Sequence, residues 1–172
     1  GAREHAMGRQ LLLSKQVEKV YCAPGNLGML ASGIEIVPIS ELNFEKLIEF
    51  AKEQEIDLTV VGPELPLQQG IVDNFIASGL NIFGPSQAAA RLEGSKEFAK
   101  KIMREAGVPT AKYASYQDEE AAVQALAEVT YPVVIKSDGL AAGKGVVIVE
   151  NQKQAKITIH QMLGEHQFDT KS

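Results

Sequence analysis

Leu58-Thr59-Val60-Val61-Gly62-Pro63-Glu64 is the stretch on which the fold turns. A short run rich in β-branched side chains reads as a strand flat enough to be buried on both faces, as parallel strands are. Gly62-Pro63 ends it in a turn. Pro66 then suits the first turn of a helix that carries Leu67, Ile71, Phe75 and Ile76 inward. Gly79 closes that helix, and Asn81-Ile82-Phe83 reads as the next short strand. A strand, a helix and a strand in this order imply parallel pairing.

The same alternation runs upstream. Residues 17–23 and Ile34-Glu35-Ile36-Val37 read as strands. Asn43 caps a helix whose apolar stripe is Phe44, Leu47, Ile48 and Ala51. The first half is therefore expected to be α/β, an open parallel Rossmann-like sheet. Gly1-Ala2-Arg3-Glu4-His5 leads directly into a helical pattern that reaches about Ser14. In a βαβ unit such a turn follows a strand, so a strand is expected upstream of Gly1. The chain has no initiator methionine and stops after a helical pattern, and it is read as a fragment.

Beyond Gly84-Pro85-Ser86 the character changes. A short helix over 86–92, a break at Glu93-Gly94-Ser95 and a second helix follow. That helix carries Phe98, Ala99, Ile102 and Met103 on one face, with Lys96, Lys100 and Arg104 outside it, and Gly107-Val108-Pro109 stops it. Next come a strand over 111–115, a helix capped near 115–118, and strands over 132–136 and 145–149 joined by a glycine-rich connection. Two β-runs linked so closely suggest an antiparallel hairpin. Ala155, Ile159, Met162 and Leu163 mark a last helix. The domain boundary is expected near residue 92, giving domains over 1–92 and 93–172.

Composition narrows the function classes. The chain has 172 residues, 45% of them hydrophobic, enough for one or two cores. Its 17 Lys+Arg against 22 Asp+Glu give a net charge of −5, with no basic stripe of the kind nucleic-acid binders carry. No apolar run approaches the ~18 residues of a membrane span. The single cysteine, Cys22, excludes an intramolecular disulfide framework and a multi-cysteine zinc site, and it reads as a small buried residue. His5, His160 and His166 are too scattered to form a metal site. No signal peptide is visible, so a reducing cytoplasm is expected.

The sharpest motif is Lys136-Ser137-Asp138-Gly139-Leu140-Ala141-Ala142-Gly143-Lys144-Gly145-Val146. Small residues leave backbone N–H groups free to approach phosphate oxygens, and Lys136 and Lys144 can neutralise a polyphosphate. It is not a Walker A loop. The glycine-to-glycine spacing is one residue short, Gly145 stands where a magnesium-binding Ser or Thr belongs, and strand residues follow instead of a helix. Composition alone also allows a plain hairpin with solvated lysines. In the first half, the turns Ala23-Pro24-Gly25-Asn26, Gly62-Pro63-Glu64 and Gly84-Pro85-Ser86 fall at strand ends. Open α/β sheets bind ligands at that edge, and Arg3, Glu4 and His5 belong to the same edge. A helix N-terminus beside Arg3 suits a phosphate-bearing small molecule. Each turn taken alone is ordinary punctuation.

These residues resemble the glycinamide ribonucleotide synthetases (phosphoribosylamine–glycine ligases), ATP-grasp enzymes of purine biosynthesis. The matching motifs are Gly1-Ala2-Arg3-Glu4-His5-Ala6, Ala23-Pro24-Gly25-Asn26, Asp57-Leu58-Thr59-Val60-Val61-Gly62-Pro63-Glu64 and Phe83-Gly84-Pro85-Ser86. Leu92-Glu93-Gly94-Ser95-Lys96, Gly107-Val108-Pro109-Thr110-Ala111 and the run from Asp138 to Val146 complete the series, in order over nearly the whole chain. Ala2 and Ser137 depart from the family pattern, which has glycine and alanine at those places. The resemblance implies that the second domain is the opening part of an ATP-grasp domain. It implies an ATP-dependent carbon–nitrogen ligase that joins glycine to 5-phosphoribosylamine through a glycyl phosphate.

In that picture Lys96, Lys136, Gly139, Ala142, Gly143, Lys144 and Gly145 bind ATP, with Lys136 and Lys144 as the catalytic candidates. The loop from Gly139 to Gly145 closes over the nucleotide and excludes water. Arg3, Glu4, His5, Pro24, Gly25, Asn26, Gly62, Pro63 and Glu64 line the phosphoribosylamine crevice. Magnesium ligands and glycine recognition are expected beyond Ser172, and the chain by itself is expected to be inactive. Glycine, 5-phosphoribosylamine and ATP are the expected partners, with no nucleic acid and no membrane. A non-catalytic nucleotide- or sugar-phosphate-binding module, or an ATP-grasp ligase for a different acid, are the competing readings.

Overall fold

Asn43 accepts the N–H of Lys46 through its side chain at 3.2 Å and so starts α3 (Phe44–Glu53). In the computed structural model, which describes residues 1–139 and 145–165, the same local chemistry opens α2 (Leu27–Leu30), where Asn26 accepts from Gly28 N–H at 3.0 Å. Before it lie α1 (Ala2–Leu11) and β1 (Tyr21–Cys22), and after it β2 (Glu35–Ile36). β3 (Thr59–Val60), α4 (Glu64–Gln68), α5 (Ile71–Ala77) and β4 (Ile82–Phe83) follow. The chain divides into two compact units, Gly1–Ala90 and Arg91–Ser172.

In the first unit both strand pairs are parallel. Tyr21 pairs with Glu35 and Cys22 with Ile36, while Thr59 pairs with Ile82 and Val60 with Phe83. The pairs stand as two separate two-stranded ribbons among the described residues, rather than one continuous sheet. Between their inner strands lies a cavity of about 1260 Å³, lined by both β1 and β3. Alternate residues of a parallel strand point their main-chain groups to opposite sides. Val20 and Cys22 face β2 and Thr59 and Val61 face β4, which turns Tyr21 and Val60 toward the cavity.

Other expectations change with packing. Leu58 and Val60 are 54% and 37% exposed, not buried on both faces, because β3 has a partner on one side only. The helix expected to run on from Pro66 is two helices. Gly70 adopts φ +87°, ending α4 and resetting the phase of α5, so Ile71 and Phe75 are buried but Ile76 is 63% exposed. The core of this unit is Ala51, Ile71, Val72 and Phe75, with Leu47, Ile48, Val61 and Leu67 against it.

The second unit begins halfway along α6 (Gln87–Gly94) and continues with α7 (Lys96–Glu105) and α8 (Glu119–Ala125). After a 3₁₀ turn (Leu126–Glu128) come β5 (Val133–Lys136), β6 (Val146–Val149) and α9 (Gln152–Ile159), which passes into a π turn (His160–Gly164). β5 and β6 form the expected antiparallel hairpin, with Val133 opposite Val149 and Lys136 opposite Val146. Ala122, Leu126, Val149, Ala155 and Ile159 make the core. The strand expected over 111–115 is absent. Those residues run without a β partner, and Lys100 holds them to α7 through the Thr110 hydroxyl and, at 3.4 Å, the Ala111 carbonyl. On α7 no residue is buried, and Ile102 and Met103 of the expected inward stripe are exposed. Among the described residues no helix is long and apolar enough to cross a membrane.

Candidate functional site

Two groups of candidate residues exist, one in each unit. In the first, α1 starts at the mouth of the cavity, and Arg3, Glu4, Pro24, Gly25, Gly62 and Pro63 line it. Arg3 reaches across to α4 as a fork on the Glu64 carboxylate, Nη1 to Oε1 at 2.8 Å and Nη2 to Oε2 at 3.1 Å. The Arg3 hydrogen bond, helped by the residue's own N–H, holds the Glu64 carboxyl below the usual carboxylate range and outweighs burial. Glu4 packs on the Gly62 turn. A Cβ at Gly62 would meet Glu4 Oε1 at 2.6 Å, so the Glu4 side chain would have to shift to admit it.

Gly25 combines both demands on a glycine: φ is +71°, and a Cβ would lie 2.6 Å from Ile36 Cγ2 and 2.9 Å from the Cys22 carbonyl. Asn26 and His5 are placed differently from the rest of the crevice set. The Asn26 side chain caps α2, and His5 Nε2 sits 2.8 Å from Ser32 Oγ. Neither lines the cavity, and Glu64 touches the group only through Arg3. Cys22 is half-buried, and burial pushes its thiol up, away from the thiolate a nucleophile needs.

In the second unit, Lys136 ends β5 with its side chain exposed, and Ser137 N–H donates to the Gly145 carbonyl at 2.8 Å, closing the base of the connection. Gly139 takes φ +86° with open space around its Cβ position, so its conformation and not its size requires glycine. Lys96, the first residue of α7, donates from Nζ to the Gly139 carbonyl at 2.8 Å. Lys96, Lys136, Gly139 and Gly145 are thus gathered at one end of the hairpin. Ala142, Gly143 and Lys144 lie outside the described residues, as does His166.

Sequence reasoning gave Asp138 no role of its own. Its carboxylate accepts from Ser95 Oγ at 2.8 Å and from the backbone N–H groups of Lys96 and Glu97. The one available indication was a lone acid inside a small-residue loop, and its partners lie more than forty residues away. His160 Nδ1 lies 3.0 Å from Glu119 Oε1 and links the π turn to α8, apart from these groups. Among the described residues no cluster of His, Cys, Asp and Glu fits a metal ion. What the second unit presents is two lysines, Lys96 and Lys136, at one end of the hairpin; what the first presents is a cavity lined by Arg3 and Glu4, with Glu64 bound to that arginine.

Residues 1–93 match the family described as phosphoribosylglycinamide synthetase, N domain, and residues 94–172 match its ATP-grasp (A) domain. The chain is 52% identical over 181 residues to the phosphoribosylamine–glycine ligase of Lactococcus lactis subsp. lactis, covering 98% of this chain and 44% of that protein. It is 51% identical to the enzyme of the same name from Caldanaerobacter subterraneus subsp. tengcongensis, covering 98% and 40%. The chain thus spans well under half the length of these relatives. Among solved structures, the phosphoribosylamine–glycine ligase of Thermotoga maritima superposes with a TM-score of 0.71 at 30% identity, over 96% of this chain and 38% of that one. The biotin carboxylase domain of a Hydrogenobacter thermophilus 2-oxoglutarate carboxylase, solved with MgADP and bicarbonate, gives 0.67 at 20% identity over 93% and 40%, a likeness of fold alone.

Proposed function

The chain belongs to the phosphoribosylglycinamide synthetase family, and we propose that it serves a cytoplasmic ATP-dependent ligase that joins glycine to 5-phosphoribosylamine in purine biosynthesis. The observation that carries this reading is the succession of N domain and ATP-grasp domain over 1–93 and 94–172. In this reaction ATP phosphorylates the glycine carboxylate, leaving ADP. The amine of phosphoribosylamine then attacks the acyl carbon, phosphate leaves, and the amine nitrogen gives up a proton.

This chain's own residues bind and orient. Lys96 and Lys136 offer ammonium groups to the ATP phosphates, and the Gly139 and Gly145 backbone borders them. Arg3 and the turns at Pro24-Gly25 and Gly62-Pro63 receive phosphoribosylamine, with Glu64 holding the Arg3 guanidinium in place. A magnesium ion accompanying ATP finds no fitting cluster among the described residues. A chimera carrying these 172 residues in place of the matching stretch of the Lactococcus lactis relative tests the reading. Release of ADP that depends on both glycine and phosphoribosylamine is the expected result, and release that needs neither would overturn it.

A further inference from the structure

We propose that Asp138 is a positioning residue that holds the Lys96 ammonium at the phosphate-facing end of the β5–β6 hairpin. The inference deepens the nucleotide-binding part of the proposed function and rests on it for its consequence.

A helix begins with N–H groups that have no partner inside it. In α7, Ser95 Oγ satisfies that of Phe98 at 3.1 Å, which leaves those of Lys96 and Glu97. Both are taken by Asp138 Oδ1, and Asp138 Oδ2 accepts the Ser95 hydroxyl. One carboxylate thus binds the first turn of α7 to the end of β5. Burial favours its neutral form, but these donors and the Gly139 N–H outweigh it and hold the carboxyl below its ordinary range. The next residue, Gly139, presents its carbonyl to Lys96 Nζ at 2.8 Å. A lysine stem is long and flexible, so its ammonium stays at one carbonyl only if the backbones at both ends are fixed to each other. Asp138 supplies that fixing, because it anchors the backbone of Lys96 and immediately precedes the carbonyl that Lys96 grips. The carboxylate also occupies the N-terminus of α7, leaving phosphate oxygens to the lysines.

Simple electrostatics predicts the opposite outcome. Removing a negative charge near two lysines should tighten the binding of a polyanion, whereas loss of positioning should weaken it. Calorimetric titration of this chain with ATP distinguishes them. Asp138→Asn and Asp138→Ala are expected to weaken binding, the latter by about tenfold. In a Lys96→Met background, Asp138→Ala should change affinity by less than about twofold, as coupled residues do. Tighter binding, or equal losses in both backgrounds, overturns the proposal. A second readout needs no nucleotide: the Lys96 ζ-ammonium resonance should be protected from solvent exchange in the parent and lose that protection in Asp138→Ala, while α8 and α9 amides stay protected. Unchanged exchange at Lys96, or loss across α8 and α9 as well, overturns the proposal. If the parent and Lys96→Met chains both fail to bind ATP, the nucleotide reading falls, and the resonance alone decides whether Asp138 positions Lys96.

Discussion

Arg3 and Glu64 are joined by two parallel hydrogen bonds, 2.8 and 3.1 Å, across 61 residues of chain, so that the first turn of α1 and the first residue of α4 share one charge pair. The pair stands where two strand-end turns meet a helix start, the edge at which open α/β sheets take their ligands. An arginine held by a carboxylate on one edge of its guanidinium keeps other N–H groups for an incoming anion.

The Glu64 carboxyl is expected to titrate below the ordinary glutamate range, because the ionised form is the one Arg3 binds. A depressed value means that the stabilisation is present above the unfolded pKa and is lost as pH falls through the folded one. Carbon-detected NMR titration checks this, and an unshifted Glu64 midpoint would count against the fork. Both side chains are well exposed, so Glu64→Gln should barely move the urea midpoint while weakening phosphoribosylamine binding.

Gly25→Ala should be severe. It places a side chain at φ +71° and a Cβ 2.9 Å from the Cys22 carbonyl, an atom that cannot move without disturbing β1. Left-handed backbone strain and overpacking each cost about 1–3 kcal/mol, and urea denaturation should show a loss in that range or above it. A loss of only a few tenths would mean the turn adjusts freely.

Phe75 is 2% exposed at the centre of the first unit's core. Phe75→Ala removes most of a buried aromatic and leaves a void, a change that costs about 3–5 kcal/mol. Chemical denaturation followed by far-ultraviolet circular dichroism should register it. By contrast Ile76→Ala, on the exposed side of the same helix, should have little effect, and comparable losses for both would contradict the phase set by Gly70.

Lys136→Ala should weaken ATP binding about tenfold, or ~1.4 kcal/mol, without altering stability. Its side chain is exposed at the end of β5, and among the described residues it forms no ion pair. Unchanged ATP affinity would remove it from the nucleotide site.

Much of the fold was legible because it depends on neighbours in sequence. Asn43, Ser95, Asp118 and Asn151 each accept an N–H two to three residues into the helices they begin, the kind of bond that a short stretch specifies by itself. The antiparallel hairpin followed from two β-runs separated by one short connection. Apolar periodicity does not register a break in the backbone. The apolar spacing from Leu67 to Ile76 looked helical throughout, yet Gly70 turns the backbone left-handed and moves Ile76 to the surface. Residues 111–115 had the composition of a strand but found no edge to pair with.

The candidate site divides in the same way. Its glycines and lysines stood out in the sequence, because small residues and cations in one loop are a local composition. What they bond to did not: Arg3 meets Glu64, Lys96 reaches Gly139, and Asp138 caps a helix that begins more than forty residues before it. By itself the sequence determined most of the element types, the parallel and antiparallel pairings and the family. Only the tertiary structure decided which distant group satisfies each unpaired donor or charge. Those choices depend on how elements pack, and packing is set by contacts between residues that chain order does not bring together.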